Sequence, residues 1–333
     1  MSGPARAPSR ERRRGCVDVD ALVAGAVSGD PRAVARLLSL VENRAALLPT
    51  LTAALLPHTG HAQVLGVTGA PGVGKSTSTA ALIASLRADD HRVGVLAVDP
   101  SSPFSGGALL GDRVRMQDHA TDGGVFIRSM ATRGHLGGLS AAAPQAVRVL
   151  DAAGFDDVVI ETVGVGQAEL DVAALADTVL LLMAPGMGDG IQAAKAGIVE
   201  VADVFVVNKA DRDGADQVVR DLRGMQGLGG RHSEPGSWRA PIIKTVASRG
   251  EGVDEVRAAV AKHRQWMVSG GELERRRRHR AEVEIEAIAL AEVRRRLVDQ
   301  LGPGAVRAAA AAVVAGRTDP YRAAAALLDA LER

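Results

Sequence analysis

One stretch constrains this chain more than any other. Gly69-Ala70-Pro71-Gly72-Val73-Gly74-Lys75-Ser76 stands directly after an apolar run at 64–67 and opens a helix-compatible run to about Arg87. A strand, a glycine-rich turn and a helix in that order make a phosphate cradle. The glycines let backbone N–H groups turn inward on phosphate oxygens, at the positive end of the following helix. Lys75 is placed to reach the β- and γ-phosphates, and the Ser76 hydroxyl to ligate Mg²⁺, with Thr77 beside it among the nucleotide contacts. The motif is strong for nucleotide binding and silent on the base.

The rest of the chain agrees with such a fold. Short apolar runs recur at 93–98, 158–160, 179–183, 204–207 and 242–246, with helical stretches between them. Runs this short and apolar on both faces predict a mostly parallel sheet covered by helices on both sides. The fold class is α/β, a P-loop nucleotide hydrolase, with sites at the carboxyl ends of the strands. Residues 17 to about 57 read as helical, with Asp30-Pro31 as an N-cap followed by proline at the first helical position. Residues 272–301 carry Val283, Ala287, Leu290, Val293, Leu297 and Leu301 in a three-and-four rhythm that puts them on one stripe. That stripe is expected to serve self-association. Gly302-Pro303-Gly304 ends this helix, and two Ala-rich helices follow, divided near Gly316 and Pro320. The expected organisation is a basic flexible arm at 1–16, a helical extension at 17–60, a nucleotide-hydrolase domain at 61–265 and a helical dimerisation region at 266–333.

Asn208-Lys209-Ala210-Asp211 follows the run at 204–207 and selects the base. The Asp211 carboxylate accepts from guanine N1–H and the exocyclic amine, and adenine offers neither donor there. Hydrogen bonds to charged groups are worth ~1.5–3 kcal/mol each, so two give a large preference. Asn208 is expected to tie this loop to the phosphate loop, and the Lys209 stem to cover the base. Val246-Ala247-Ser248 sits where a backbone N–H meets the guanine oxygen. For Mg²⁺, three acidic residues stand near predicted strand ends: Asp99, Asp112 and Glu161. Glu161-Thr162-Val163-Gly164 has the shape of the DxxG loop of regulatory GTPases, and the Gly164 N–H is placed to sense the γ-phosphate. Val165 stands where Ras-like enzymes carry a water-orienting glutamine, with Gln167 two places on. Slow hydrolysis by the chain alone is therefore expected, accelerated by a partner or by dimerisation. The glycine-rich loop at 185–190 precedes a helix bearing Lys195 and is a second switch candidate.

Composition removes several classes. Forty basic against 39 acidic residues leave a net charge of +1, which gives no reason to expect nucleic acid. The single cysteine, Cys16, suits a reducing cytoplasm and speaks against a GTPase metallochaperone, which needs Cys or His pairs at ligand spacing. No apolar run approaches the ~20 residues of a membrane span. His119, His135 and His232 read as ordinary solvated histidines. An ATP-dependent small-molecule kinase is the alternative from a different class, and the guanine-selecting tetrad opposes it.

Together these pieces resemble the MeaB/ArgK family of P-loop GTPases, which includes the human methylmalonic aciduria type A protein. The resemblance covers nearly the whole chain after the arm. It rests on Ser28-Gly29-Asp30, the phosphate loop GAPGVGKST, the stretch VDPSSPFSGGALLGDR at 98–113, ETVGVGQ at 161–167, NKAD and Asp319-Pro320-Tyr321. It implies a GTPase chaperone for an adenosylcobalamin-dependent acyl-CoA mutase, most often methylmalonyl-CoA mutase. It implies a homodimer through the C-terminal helices, and Mg²⁺-site or switch roles for Asp99, Asp112 and Glu161. It also implies that Lys195 takes part in mutase-stimulated hydrolysis. Nothing in composition or spacing points to cobalamin.

Overall fold

The computed structural model describes residues 17–43, 45–100, 119, 121–132, 142–162, 174–186, 198–228 and 236–332. The basic arm, Asp112, Gly164, Gln167 and Lys195 lie outside the described residues, as does the side chain of Asp99. The chain divides into two compact units at Gly270 and Gly271.

The first unit holds, among the described residues, seven strands in one parallel sheet. In chain order its elements are α1 (Val19–Val27), α2 (Pro31–Asn43), α3 (Leu48–Leu55), β1 (Gln63–Thr68), α4 (Lys75–Arg87), β2 (Val93–Pro100) and β3 (Val125–Thr132). There follow α5 (Ala143–Ala152), β4 (Asp157–Thr162), β5 (Thr178–Met183), α6 (Ile198–Val201), β6 (Val204–Asn208), α7 (Ala215–Leu228), β7 (Ile242–Thr245) and α8 (Val253–Ser269). The sheet order is β3-β2-β4-β1-β5-β6-β7. The chain leaves β1 toward one edge and later returns past it to the other, so β1 stands where the winding reverses. In open α/β sheets ligands bind at that point, beyond the carboxyl ends of the strands.

Both faces of the central strands are buried, which is why they read as unbroken apolar runs. In β5, Leu180 and Leu182 enter the core beneath α4 and α8, while Leu181 and Met183 face that beneath α7. In β2, Val95 joins the α4 side and Leu96 the opposite side, where α1, α2, α3 and α5 gather. The N-terminal helices are therefore part of the sheet's cover. They form three helices rather than one continuous stretch: Gly29, at φ +88°, breaks the first, and a short turn at Ala45–Leu47 breaks the second. Asp30 accepts from the Arg32 N–H at 2.9 Å, so the expected cap is formed.

β3 was not anticipated from sequence. It is an edge strand, half-buried along most of its length, and Arg128 at its centre pairs with Glu42 of α2. A cation in mid-strand interrupts the apolar run that marks the others.

The second unit consists of α9 (Glu272–Leu301), α10 (Ala305–Val314) and α11 (Pro320–Leu331). Within it α11 packs on both α9 and α10. None of the residues of its three helices is fully buried, and Val283, Ile285, Ile288, Leu290, Val293 and Val298 of α9 are exposed.

Candidate nucleotide site

The phosphate loop is fixed between β1 and α4 by what its residues can and cannot be. Gly69 has φ +140°, and a Cβ there would fall 2.3 Å from the Leu182 carbonyl of β5. Gly74 has φ +95°, and a Cβ there would fall 2.5 Å from Asn208 Nδ2. Only glycine allows backbone to approach this closely. Val73, fully buried between them, pins the loop to the core, while Pro71 and Gly72 stay exposed.

Lys75 is the first residue of α4, and its buried ammonium donates to the carbonyls of Gly69 at 2.7 Å and Ala70 at 3.1 Å. The helix start thus carries a fixed cation folded back over the loop. Ser76 Oγ donates to Glu161 Oε1 at 2.6 Å, and both side chains are buried. Glu161 lies near the end of β4, in register with Val67 of β1 and Ala97 of β2. A hydroxyl and a carboxylate meeting beside the phosphate loop make the oxygen-only donor set that Mg²⁺ prefers, with the remaining positions left to water and phosphate. These residues fit the metal. Thr77, next along α4, is exposed.

The base loop is joined to this cradle. Asn208 closes β6, is buried, and donates from Nδ2 to the Val73 carbonyl at 2.9 Å. Its Oδ1 accepts from Thr245 Oγ1 at 3.2 Å and from the Ala247 N–H at 3.1 Å. One amide therefore links the phosphate loop, β6 and the turn after β7. Lys209 adopts φ +57° and reaches the Gly72 carbonyl with Nζ at 2.7 Å, so its stem bridges the two loops. The Ala210 N–H bonds to the Thr245 carbonyl at 3.0 Å. Asp211 then emerges at the surface, its Oδ2 accepting from Arg249 Nη2 at 2.8 Å. Val246 and Ala247 are buried and Ser248 is exposed.

The structure thus brings together the phosphate loop, Glu161, Asn208, Lys209, Asp211 and the 246–248 turn. Asp112, Gly164, Lys195 and the Asp99 side chain fall outside what it describes; the Asp99 backbone continues β2 two residues beyond Ala97. Sequence reasoning missed Thr245 and Arg249. Neither carries a motif signal: one is a strand-end hydroxyl, and the other lies in a short 3-10 turn after β7.

Comparisons with known proteins point the same way. A family model described as "Methylmalonyl Co-A mutase-associated GTPase MeaB" matches residues 34–301. A Pyrococcus horikoshii protein named as a GTPase is 50% identical over 270 residues, 81% of this chain and 85% of that one. The GTPase ArgK of Escherichia coli is 38% identical, over 76% of this chain and 78% of its own. The mitochondrial methylmalonic aciduria type A homolog of Mus musculus is 36% identical, over 78% of this chain and 66% of its own. Among solved structures, one described as a LAO/AO transport system kinase matches with a TM-score of 0.71 at 27% identity, over 95% of this chain and 98% of that one.

Proposed function

The chain belongs to the MeaB family of methylmalonyl-CoA mutase-associated GTPases, and since it is thus a P-loop GTP hydrolase, we propose that hydrolysis drives it as a chaperone for an adenosylcobalamin-dependent acyl-CoA mutase. Methylmalonyl-CoA mutase is the partner favoured by the family's description and by the name of the mouse relative. The observation that carries the nucleotide half of this reading is the Asn208 amide, bonded at once to the phosphate loop and to the turn after β7. A base bound there and a phosphate bound on the loop are read by one rigid assembly.

The chemistry required is positioning and charge neutralisation rather than covalent catalysis. Lys75, at the start of α4 with its ammonium against the loop, is placed to neutralise β- and γ-phosphate oxygens. Ser76 and Glu161 would hold Mg²⁺, which when bound offsets the charge that develops as the bond from the γ-phosphorus to its bridging oxygen breaks. The burial of Glu161 and its hydrogen bond from Ser76 Oγ support that pairing. We assign Asp99, Asp112, Gly164 and Lys195 to the metal and switch functions that their motifs imply.

The described residues of both units include no helix long and apolar enough to cross a membrane. We place the protein in the cytoplasm, as a homodimer through its second unit, with no nucleic-acid partner. The kinase reading is suggested by the name of the matched solved structure. It needs an adenine site, and the carboxylate of Asp211 turns a lone pair against that base.

The deciding experiment measures GTP turnover by the purified chain alone and with a purified adenosylcobalamin-dependent mutase, using ATP as the control. Slow GTP turnover, marked stimulation by the mutase and inert ATP are expected. Turnover that no mutase alters would remove the chaperone role, and ATP turnover matching that of GTP would remove the base assignment.

A further inference from the structure

Two loops flank the base position, and one side chain ties their outer ends. Arg249, on the turn after β7, donates from Nη2 to Asp211 Oδ2 at 2.8 Å. Among the described residues no other group donates a hydrogen bond to that carboxylate. Asp211 is 36% exposed, so without Arg249 its terminal torsion is free to turn in solvent.

The guanidinium starts from a constrained turn. The Arg249 N–H bonds to the Val246 carbonyl at 2.8 Å, and the Val246 N–H to the Glu251 carbonyl at 3.0 Å. Gly250 follows in the left-handed region at φ +72°, and Gly252 at φ +77° lies so near β7 that a Cβ would fall 2.2 Å from the Lys244 carbonyl. The Asp211 side is equally anchored, by Ala210 to Thr245 and by the Arg212 N–H to the Lys209 carbonyl at 3.0 Å. The ion pair therefore bridges two fixed backbones across a short gap.

A carboxylate has about four lone-pair sites. On the reading of Asp211 as base-selecting, two would face the guanine N1–H and 2-amino group, which leaves room for one further donor on Oδ2. We propose that Arg249 is a positioning residue for base selection, holding the Asp211 carboxylate in the orientation that accepts both guanine donors at once. This rests on the reading of Asp211 as the guanine-selecting group and adds a specificity-determining contact that the tetrad itself lacks. The competing account is an exposed ion pair with no consequence for binding, as many surface pairs are.

The test measures GDP and IDP affinity on the full chain with Mg²⁺ for wild type, Arg249→Ala, Arg249→Lys, Asp211→Asn and the Arg249→Ala/Asp211→Asn double variant. IDP lacks the 2-amino group and uses only one of the two carboxylate contacts. Arg249→Ala is expected to weaken GDP binding roughly threefold to fivefold, the scale of a well-formed exposed pair, and IDP binding less. Arg249→Lys should recover most of the loss, since the contact passes through a single nitrogen. In the Asp211→Asn background, Arg249→Ala should cost nothing further, and in turnover the loss should appear in KM rather than in kcat. GDP affinity that is unchanged or tighter in Arg249→Ala overturns the proposal. So does an equal loss for GDP and IDP, or the same loss in the Asp211→Asn background, because each means that Arg249 acts other than through the carboxylate. GDP affinity unchanged by Asp211→Asn would instead overturn the base assignment itself, an outcome separate from the others.

Discussion

At the scale of single residues, the site separates two kinds of polar group, and the difference predicts what each substitution does. Asp211 is partly exposed and makes one exposed ion pair, so the fold does not depend on it. Asp211→Asn should leave the thermal midpoint nearly unchanged while lowering GTP affinity about 100-fold or more, since the amide keeps one neutral acceptor, loses the charge and turns a donor against the guanine amine. Xanthosine triphosphate, which carries an oxygen where guanine has its amine, should bind the variant better than it binds wild type. Nucleotide titrations decide this, and GTP affinity retained by the variant would refute the assignment. Asn208 is the opposite case. It is buried, and its three hydrogen bonds join elements far apart in sequence. Asn208→Ala leaves the Val73 carbonyl and the Ala247 N–H without that partner, at about 1–3 kcal/mol each where they stay unsatisfied. The expected result is a lower unfolding midpoint together with weaker nucleotide binding. A variant that binds poorly but unfolds like wild type would mean that Asn208 serves the ligand alone. The tie from Asn208 to the phosphate loop was legible in the sequence because the tetrad follows an apolar strand. Arg249 was not, since a surface arginine in a three-residue turn carries no pattern until the turn is folded against β6.

At the scale of elements, legibility followed the continuity of apolar runs. β1, β4, β5 and β6 are buried along their whole length, and each left an apolar run in the sequence. The bounds of α4 and α9 were equally clear, because glycines stand at the start of both and at the end of α9. β3 was hidden because Arg128 breaks its apolar run, whereas β7, the other edge strand, keeps Ile242 and Ile243 together. β3 is held at its start by an interaction that sequence patterns do not register: Arg87 at the end of α4 donates to Asp122 at 2.8 Å. Hydrogen bonding from Arg87, with help from the Gly124 N–H, holds the Asp122 carboxyl below its ordinary value, and the same bond raises Arg87. A carboxyl depressed in the folded state contributes stability above its unfolded value of 3.8, and loses it as pH falls through the lower folded value. Arg87→Ala should therefore lower the unfolding midpoint at neutral pH, and the gap to wild type should close progressively below about pH 4. Thermal unfolding of both proteins across that range measures it. A gap that stays constant into acid would show that Arg87 acts through packing rather than through Asp122.

At the scale of the whole molecule, the second unit poses a problem in surface chemistry that the proposed self-association would solve. In α9 Ile285 is 67% exposed, Leu290 63%, Ile288 58% and Val283 51%, with Val293 and Val298 also turned to solvent. Fully burying an aliphatic side chain of this size is worth about 1.5–3 kcal/mol, so covering several of them supplies a strong drive to associate. The sequence stripe at Val283, Leu290 and Val293 anticipated part of this surface but not Ile285, Ile288 or Val298, which lie between its teeth. A helix apolar on so much of its circumference fits a partner that wraps it better than one that meets a single seam. The full chain is thus expected to migrate near twice its 34.4 kDa mass. Substituting Val283→Glu and Leu290→Glu together should give a monomer whose first unit unfolds at an unchanged temperature, because neither residue contributes to a buried core. Light scattering after size exclusion reads the mass directly. A wild-type chain that stays monomeric at tens of micromolar, or a double variant that stays dimeric, would place the subunit contact elsewhere or remove it. The same pair of proteins then tests whether association reaches the nucleotide: if dimerisation accelerates turnover in place of the missing glutamine, the monomeric variant should hydrolyse GTP more slowly than wild type at equal site concentration, with an unchanged affinity for GDP.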